Sequence, residues 1–146
     1  MRLRKTLPAD IEQIIASGDV EAVARAVARC EIGAYLRGSA YEPRLMHFPA
    51  SEEITDFLLA RGEDINSRDR YQRTPIHARV RSRCLDQIPL LIARGGDINA
   101  RDTSDQTALF GVVERFPVAD VSQMISWGAD PLAVADSRMY GKATLV

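Results

Sequence analysis

The chain repeats itself every 33 residues, and a short period of this kind excludes most folds before any other feature is weighed. Residues 60–66 read Ala-Arg-Gly-Glu-Asp-Ile-Asn, and residues 93–99 read Ala-Arg-Gly-Gly-Asp-Ile-Asn. A third copy, Ser-Trp-Gly-Ala-Asp-Pro, occupies 126–131. Gly62, Gly95 and Gly128 are each 33 apart, as are Asp69 and Asp102, and Thr74 and Thr107. With 146 residues the chain holds a little over four such units. One unit is too small to bury an apolar face alone, so a stack in which each unit covers the next is expected.

Within a unit the pattern is helical. Val20, Val23 and Val27 recur at steps of three and four, as do Ile54, Phe57 and Leu58, then Ile88, Leu91 and Ile92, then Val121, Met124 and Ile125. That spacing puts each set on one helical face. The glycine after each later set can take the left-handed conformation that closes a helix without a Cβ clash. Cys30 occupies that position in the first unit, so its closure is expected to be irregular. A shorter helix precedes each of these, over about 8–17, 44–49, 75–81 and 108–115. Pro8 and Pro75 suit a first helical position, where a missing N–H is no loss. Asp19 is a candidate N-cap for the helix that begins at Val20. Polar stretches such as residues 67–73 separate the pairs.

Composition sets the outer bounds. Hydrophobic residues make up 46% of the chain and charged residues 27%, which are ordinary globular values and disfavour wholesale disorder. A net charge of −1 argues against a globally basic nucleic-acid binder. No apolar run approaches the length of a membrane span. The basic start, Met-Arg-Leu-Arg-Lys, is not followed by an apolar segment, so no secretory signal is expected. Cys30 and Cys84 lie 54 residues apart, which is neither a disulfide framework nor a zinc spacing. A cytoplasmic protein with reduced thiols is the expectation.

These units resemble the ankyrin repeat, a turn plus two antiparallel helices in 33 residues. The family's turn-and-helix signature, Asp-x-x-Gly-x-Thr-Pro-Leu-His, has a counterpart in residues 69–77, Asp-Arg-Tyr-Gln-Arg-Thr-Pro-Ile-His. A second lies at 102–110, Asp-Thr-Ser-Asp-Gln-Thr-Ala-Leu-Phe. The family's closing Gly-Ala-Asp-Val-Asn is matched by residues 62–66 and 95–99. The resemblance implies an all-α helix–turn–helix solenoid in a single domain. Its repeats would cover approximately 7–36, 41–68, 69–101 and 102–134, with 135–146 an irregular partial repeat or tail.

The departures from the family pattern are specific. Gln72 and Asp105 stand where the turn glycine belongs, which predicts distorted turns. His47 and Gly62 are 15 apart but His77 and Gly95 are 18 apart, so the second unit has lost three residues. Pro49 falls in that gap, and Pro89 is placed inside a helix, where each predicts a kink. Arg79 stands where the family has a small residue. The chain ends before a further helix, so self-association through an uncapped C-terminal end is an open expectation.

No catalytic constellation, cofactor motif or metal set is visible. His47 and His77 fall in the family's His register, which implies hydrogen bonds to backbone at the turn. Arg81 and Arg83 flank Cys84, yet no base accompanies it at a useful spacing. What remains is charge placement. Residues 61–101 hold nine arginines against five acids, about +4 within a chain of −1. By the family register, Arg70, Tyr71, Arg73, Arg81 and Ser82 face the concave recognition surface, bordered by the column Arg61, Arg94 and Trp127. Arginine and aromatic residues are enriched at binding hot spots. The expected function is therefore a non-enzymatic protein-binding module whose partner is acidic where it docks. A chain made only of repeats implies that binding itself is the output, as inhibition, scaffolding or, by resemblance to small solitary ankyrin proteins, immunity against a toxin. The alternative is nucleic-acid binding through the Arg-rich middle, against which the net charge counts.

Overall fold

The computed structural model describes residues 2–136. Of the expected partial repeat or tail over 135–146, residues 137–146, with Met139, Tyr140, Leu145 and Val146, lie outside the described residues. The described chain is mostly helical. It contains α1 (Ile11–Ala16), α2 (Val20–Val27), α3 (Glu52–Arg61), α4 (Pro75–Arg81), α5 (Ile88–Ala93), α6 (Ala108–Arg115) and α7 (Val118–Ser126). A 3-10 turn, Leu45–His47, stands where the second unit's first helix was expected, and 3-10 turns also occupy Leu85–Gln87 and Pro131–Asp136.

The chain is not all-α. β1 (Arg4–Thr6) pairs in parallel with β2 (Cys30–Tyr35). The reason lies in the sequence position that closes the other long helices. Arg29 stands one period before Gly62, and α2 ends in a right-handed cap at Ala28. Cys30 therefore opens a strand instead of closing a helix. Arg4 N–H donates to Arg29 O (2.8 Å) and Leu7 N–H to Tyr35 O (2.8 Å), which fixes the strand against the N-terminus.

Other local expectations met different fates. Asp19 does cap α2, accepting from Ala22 N–H at 3.2 Å. Pro75 opens α4. Pro8 does not open α1; it lies in the preceding turn, where its carbonyl accepts from Ile11 N–H (3.1 Å). Pro89 does not fall inside a helix; it sits in the first turn of α5, where the N–H has no helical partner to lose. Gln72 and Asp105 do not distort their turns. Both take the left-handed backbone (φ 60° and 61°). The aspartate three residues earlier holds each turn: Asp69 Oδ1 accepts from Tyr71 and Arg73 N–H, and Asp102 Oδ1 from Ser104 and Gln106 N–H, all within 3.1 Å.

The same bonds return one period later. Gly62, Gly95 and Gly128 have φ of 111°, 97° and 109°. After them Glu63, Gly96 and Ala129 N–H donate back to Leu58, Leu91 and Met124 O, satisfying the last carbonyls of each helix. Asn66 reaches Gly95 O and Asp97 N–H, and Asn99 reaches Gly128 O and Asp130 N–H. His47 Nε2 meets Arg73 O (2.8 Å) and His77 Nε2 meets Gln106 O (2.9 Å). Ile15, Val23, Leu45, Ile54, Ile76, Ile88, Leu91, Leu109, Val112 and Met124 are buried in one continuous core between the helix pairs. Of the predicted apolar faces only Ile125 is exposed.

Candidate functional site

Two tyrosines and two arginines form the most distinctive surface feature. Tyr71 lies in the turn before α4, and Tyr41 is its counterpart one unit earlier. Their rings meet edge to face with centroids 5.6 Å apart. Tyr41 O accepts from Arg70 N–H (2.9 Å), and one unit on Tyr71 O accepts from Thr103 N–H (3.0 Å), so the turns are stitched in register. Arg73 packs its guanidinium 5.1 Å from the Tyr41 ring centre and 5.5 Å from that of Tyr71. Arg81, at the end of α4, lies 3.7 Å from the Tyr41 ring centre. Hydrogen bonding and charge from Arg81, and then from Arg73, draw the half-buried Tyr41 phenol below its usual value.

Clefts open on both sides of this cluster. One, of about 180 Å³, lies between α4 and α6 and is lined by Tyr41, Arg73, Arg81, Thr107 and Glu114 among others. The other, of about 240 Å³, faces α1 and is lined by Glu12, Tyr41, Asp69, Arg73, Arg81 and Ser82 among others. Two residues that line the first cleft each carry a buried polar atom without a hydrogen-bond partner, Arg73 Nη1 and Thr107 Oγ1. The Thr107 case has a simple cause. Its counterpart Thr74 meets His77 Nδ1 at 3.0 Å, but the residue three after Thr107 is Phe110, which offers no nitrogen.

The histidines are structural. Thr74 N–H donates to His77 Nδ1 (3.2 Å) and Arg44 N–H to His47 Nδ1 (3.0 Å). Each Nδ1 is therefore an acceptor, and each Nε2–H donates to a carbonyl of the next turn. Burial pushes both imidazoles below their usual pKa and keeps them neutral. Cys84 is partly exposed and donates to Ser82 O (3.4 Å), while Cys30 is buried.

The residues expected to share one face do not all meet. Tyr71, Arg73, Arg81 and Ser82 gather around Tyr41, with exposed Arg70 beside Tyr71. Arg61 is 14% exposed and turned inward, with Nη2 on Cys30 O (2.7 Å) and Glu31 O (3.3 Å). Arg94 forks onto Asp56 and Glu52 of α3 at 2.8–3.1 Å and holds the Asp56 carboxyl below its usual range. Trp127 is half-buried and lines a separate groove with Leu85, Asp86, Pro89, Asp120 and Gln123. Other arginines of the middle segment are likewise bonded within the molecule. Arg68 caps Gln72 O and Arg101 O, and Arg79 is 1% exposed.

Tyr41 was not singled out by the sequence reading. The signal existed: Tyr41 and Tyr71 are 30 apart, the same shortened spacing as His47 and His77. Applying the three-residue loss to the turn would have aligned them. No protein-family model matches the chain, and no curated protein does. Among the described residues no helix is long and apolar enough to cross a membrane, and no three His, Cys, Asp or Glu side chains converge as a metal set.

Proposed function

We propose that this protein is a non-enzymatic protein-binding module built as an ankyrin-type stack of helix pairs, and that it docks its partner on the Tyr41–Tyr71–Arg73–Arg81 surface. The stack is supported by the hydrogen bonds that recur at the 33-residue period. The observation that carries the docking surface is the interlocked pair of turn tyrosines with two arginines stacked on them. Such a surface is ordered before binding, so little side-chain entropy is lost on contact. Tyr and Arg are also the residue types on which binding energy concentrates. Arg70 and Ser82 extend the surface at its edges.

A reducing, cytoplasmic setting fits the two free thiols. Inhibition of the partner, as by an immunity protein, suits a module whose output is occupancy of a surface. Nucleic-acid binding is the weaker reading, because Arg61, Arg68, Arg79, Arg94 and Arg101 are committed to internal bonds.

The test is retention of a partner from native lysate by the wild type and by Tyr71→Ala and Arg70→Glu. Each substitution should weaken binding by about 1–2 kcal/mol with helicity and melting unchanged. Equal retention by wild type and both variants would remove the docking surface.

A further inference from the structure

Several aromatic rings of this protein carry a guanidinium from elsewhere in the chain. Arg44 lies over Tyr35, Arg73 over Tyr41 and Tyr71, Arg81 over Tyr41, and Arg83 over Phe116, at 3.7–5.5 Å from the ring centres. Trp127 is the one tryptophan of the sequence, and its ring meets no cation among the described residues. Yet an indole is the side-chain ring that attracts a cation best. Trp127 is half-buried and lines a groove of about 360 Å³ with Leu85, Asp86, Pro89, Asp120 and Gln123. The groove runs between the Leu85–Gln87 turn with the start of α5 and the helix α7.

Its charge has one sign. Asp86 and Asp120 line it, and no Lys, Arg or His does. Neither aspartate forms an ion pair or a side-chain hydrogen bond with any described residue, and the Gln123 amide is equally unengaged. The arginines nearest in sequence are occupied elsewhere. Arg83 lies 5.2 Å from the Phe116 ring centre, and Arg115 lines the cleft between α4 and α6. Two carboxylates without a countercharge favour a cation by Coulomb attraction. Leu85 and Pro89 offer apolar surface to the methylene stem of a long basic side chain. A guanidinium fits the set best, because its face stacks on an aromatic ring while its in-plane N–H groups donate to carboxylate. An ammonium group is a more strongly hydrated point charge and gives up more water on entering.

We propose that this groove receives an arginine side chain of a protein partner, with Trp127 against the guanidinium face and Asp86 and Asp120 supplying the opposite charge. It is a contact point of opposite sign to the Tyr41–Arg81 surface and does not depend on it. The groove shares no lining residue with the two clefts beside Tyr41.

Trp127 reports on its own site, since no other indole contributes to the fluorescence or to the indole N–H signal. The probes are acetyl-arginine-amide, acetyl-lysine-amide and the neutral isostere acetyl-citrulline-amide, each titrated into the full chain at fixed ionic strength. The arginine probe should change both Trp127 signals to saturation, and citrulline at the same concentrations should leave them unmoved. Lysine should bind at least about twofold more weakly than arginine. Asp86→Asn and Asp120→Asn should each weaken the arginine probe about two- to fivefold, and the double substitution more, with melting unchanged. Asp10→Asn, outside the groove, should leave the affinity as it is. Raising the salt concentration should weaken arginine binding. Trp127 signals that respond to citrulline as strongly as to arginine, or to no probe, overturn the proposal. So does lysine binding as tightly as arginine, or an arginine affinity that the double aspartate substitution leaves unchanged.

Discussion

The junction between the first two units and the junctions that follow do the same job with different chemistry. At the later ones, Asn66 and Asn99 each bridge a carbonyl and an N–H of the next unit. One period earlier the residue is Gly33, which has no side chain to offer. There the bonding runs in reverse. Arg61 and Glu63 of the second unit reach back to Cys30 O, Glu31 O and Gly33 N–H, and Arg44 Nη1 donates to Gly33 O. Burial pushes the Glu63 carboxyl above its usual range, offset by the Gly33 N–H bond and by Arg61. Compact amides thus suffice where the repeat is regular, and long charged side chains span the gap where it is not.

The shortened helix of the second unit shows the same substitution. Its three-residue turn stops early and leaves His47 O and Ala50 N–H without helical partners. Arg79 Nη1 donates to His47 O (2.8 Å), and Gln87 Oε1 accepts from both Arg79 Nε (2.8 Å) and Ala50 N–H (3.2 Å). In the next unit the position of Arg79 is held by Val112, fully buried. The guanidinium fills the volume of the missing turn, and burial draws it down to about 10.

Removing the arginine that completes the shortened second unit should have the largest effect. Arg79→Ala leaves a cavity and unpairs His47 O, and should cost about 3–5 kcal/mol in a urea titration. Val112→Ala, at the regular counterpart, should cost about 2 kcal/mol. A smaller loss at Arg79 than at Val112 would mean that the space closes without it.

Acid should weaken the later contacts, of His47 with the turn at Arg73 and of His77 with the turn at Gln106, because each depends on a neutral histidine. Both folded pKa values lie below the usual 6.5, so the unfolded chain takes up protons first as pH falls. Stability should be level above about pH 7 and fall below 6.5, by at most about 1.4 kcal/mol per pH unit for each histidine. Glu63, raised instead, opposes this in the more acidic range. His77→Gln should remove about half of the slope between pH 6.5 and 5.5 in denaturant titrations; an unchanged slope would place the proton uptake elsewhere.

Asn99→Ala and Glu63→Gln compare the two bonding schemes directly. The exposed Asn99 bridge should be worth about 1–2 kcal/mol. Glu63→Gln keeps an acceptor for Gly33 N–H while removing a buried charge, and should change stability by less than about 1 kcal/mol. The smallest contrast lies within α4 and α6. Thr74→Val removes a bonded cap and should cost about 1 kcal/mol. Thr107→Val removes a buried hydroxyl that has no partner and should be neutral or slightly stabilising. Equal losses at the two threonines would show that Thr107 finds a partner in solution.

The sequence by itself determined the period. The 33-residue spacing, the apolar faces and the closing glycines are local features, and local features are written in neighbouring residues. The helices at 75–81 and 108–115 were legible to the residue for that reason. Tertiary structure alone decided the rest, because it turns on what one unit lacks and another supplies. Only packing shows that Arg61 and Arg94 are tied to internal partners, that Arg79 replaces a helical turn, and that Cys30 leads into a strand held by residues 4–7. The same holds for Tyr41, whose importance comes from Arg81 forty residues away stacking on its ring. Net charge along the sequence counts every arginine equally, while the fold decides which guanidiniums are already bonded to a neighbouring unit.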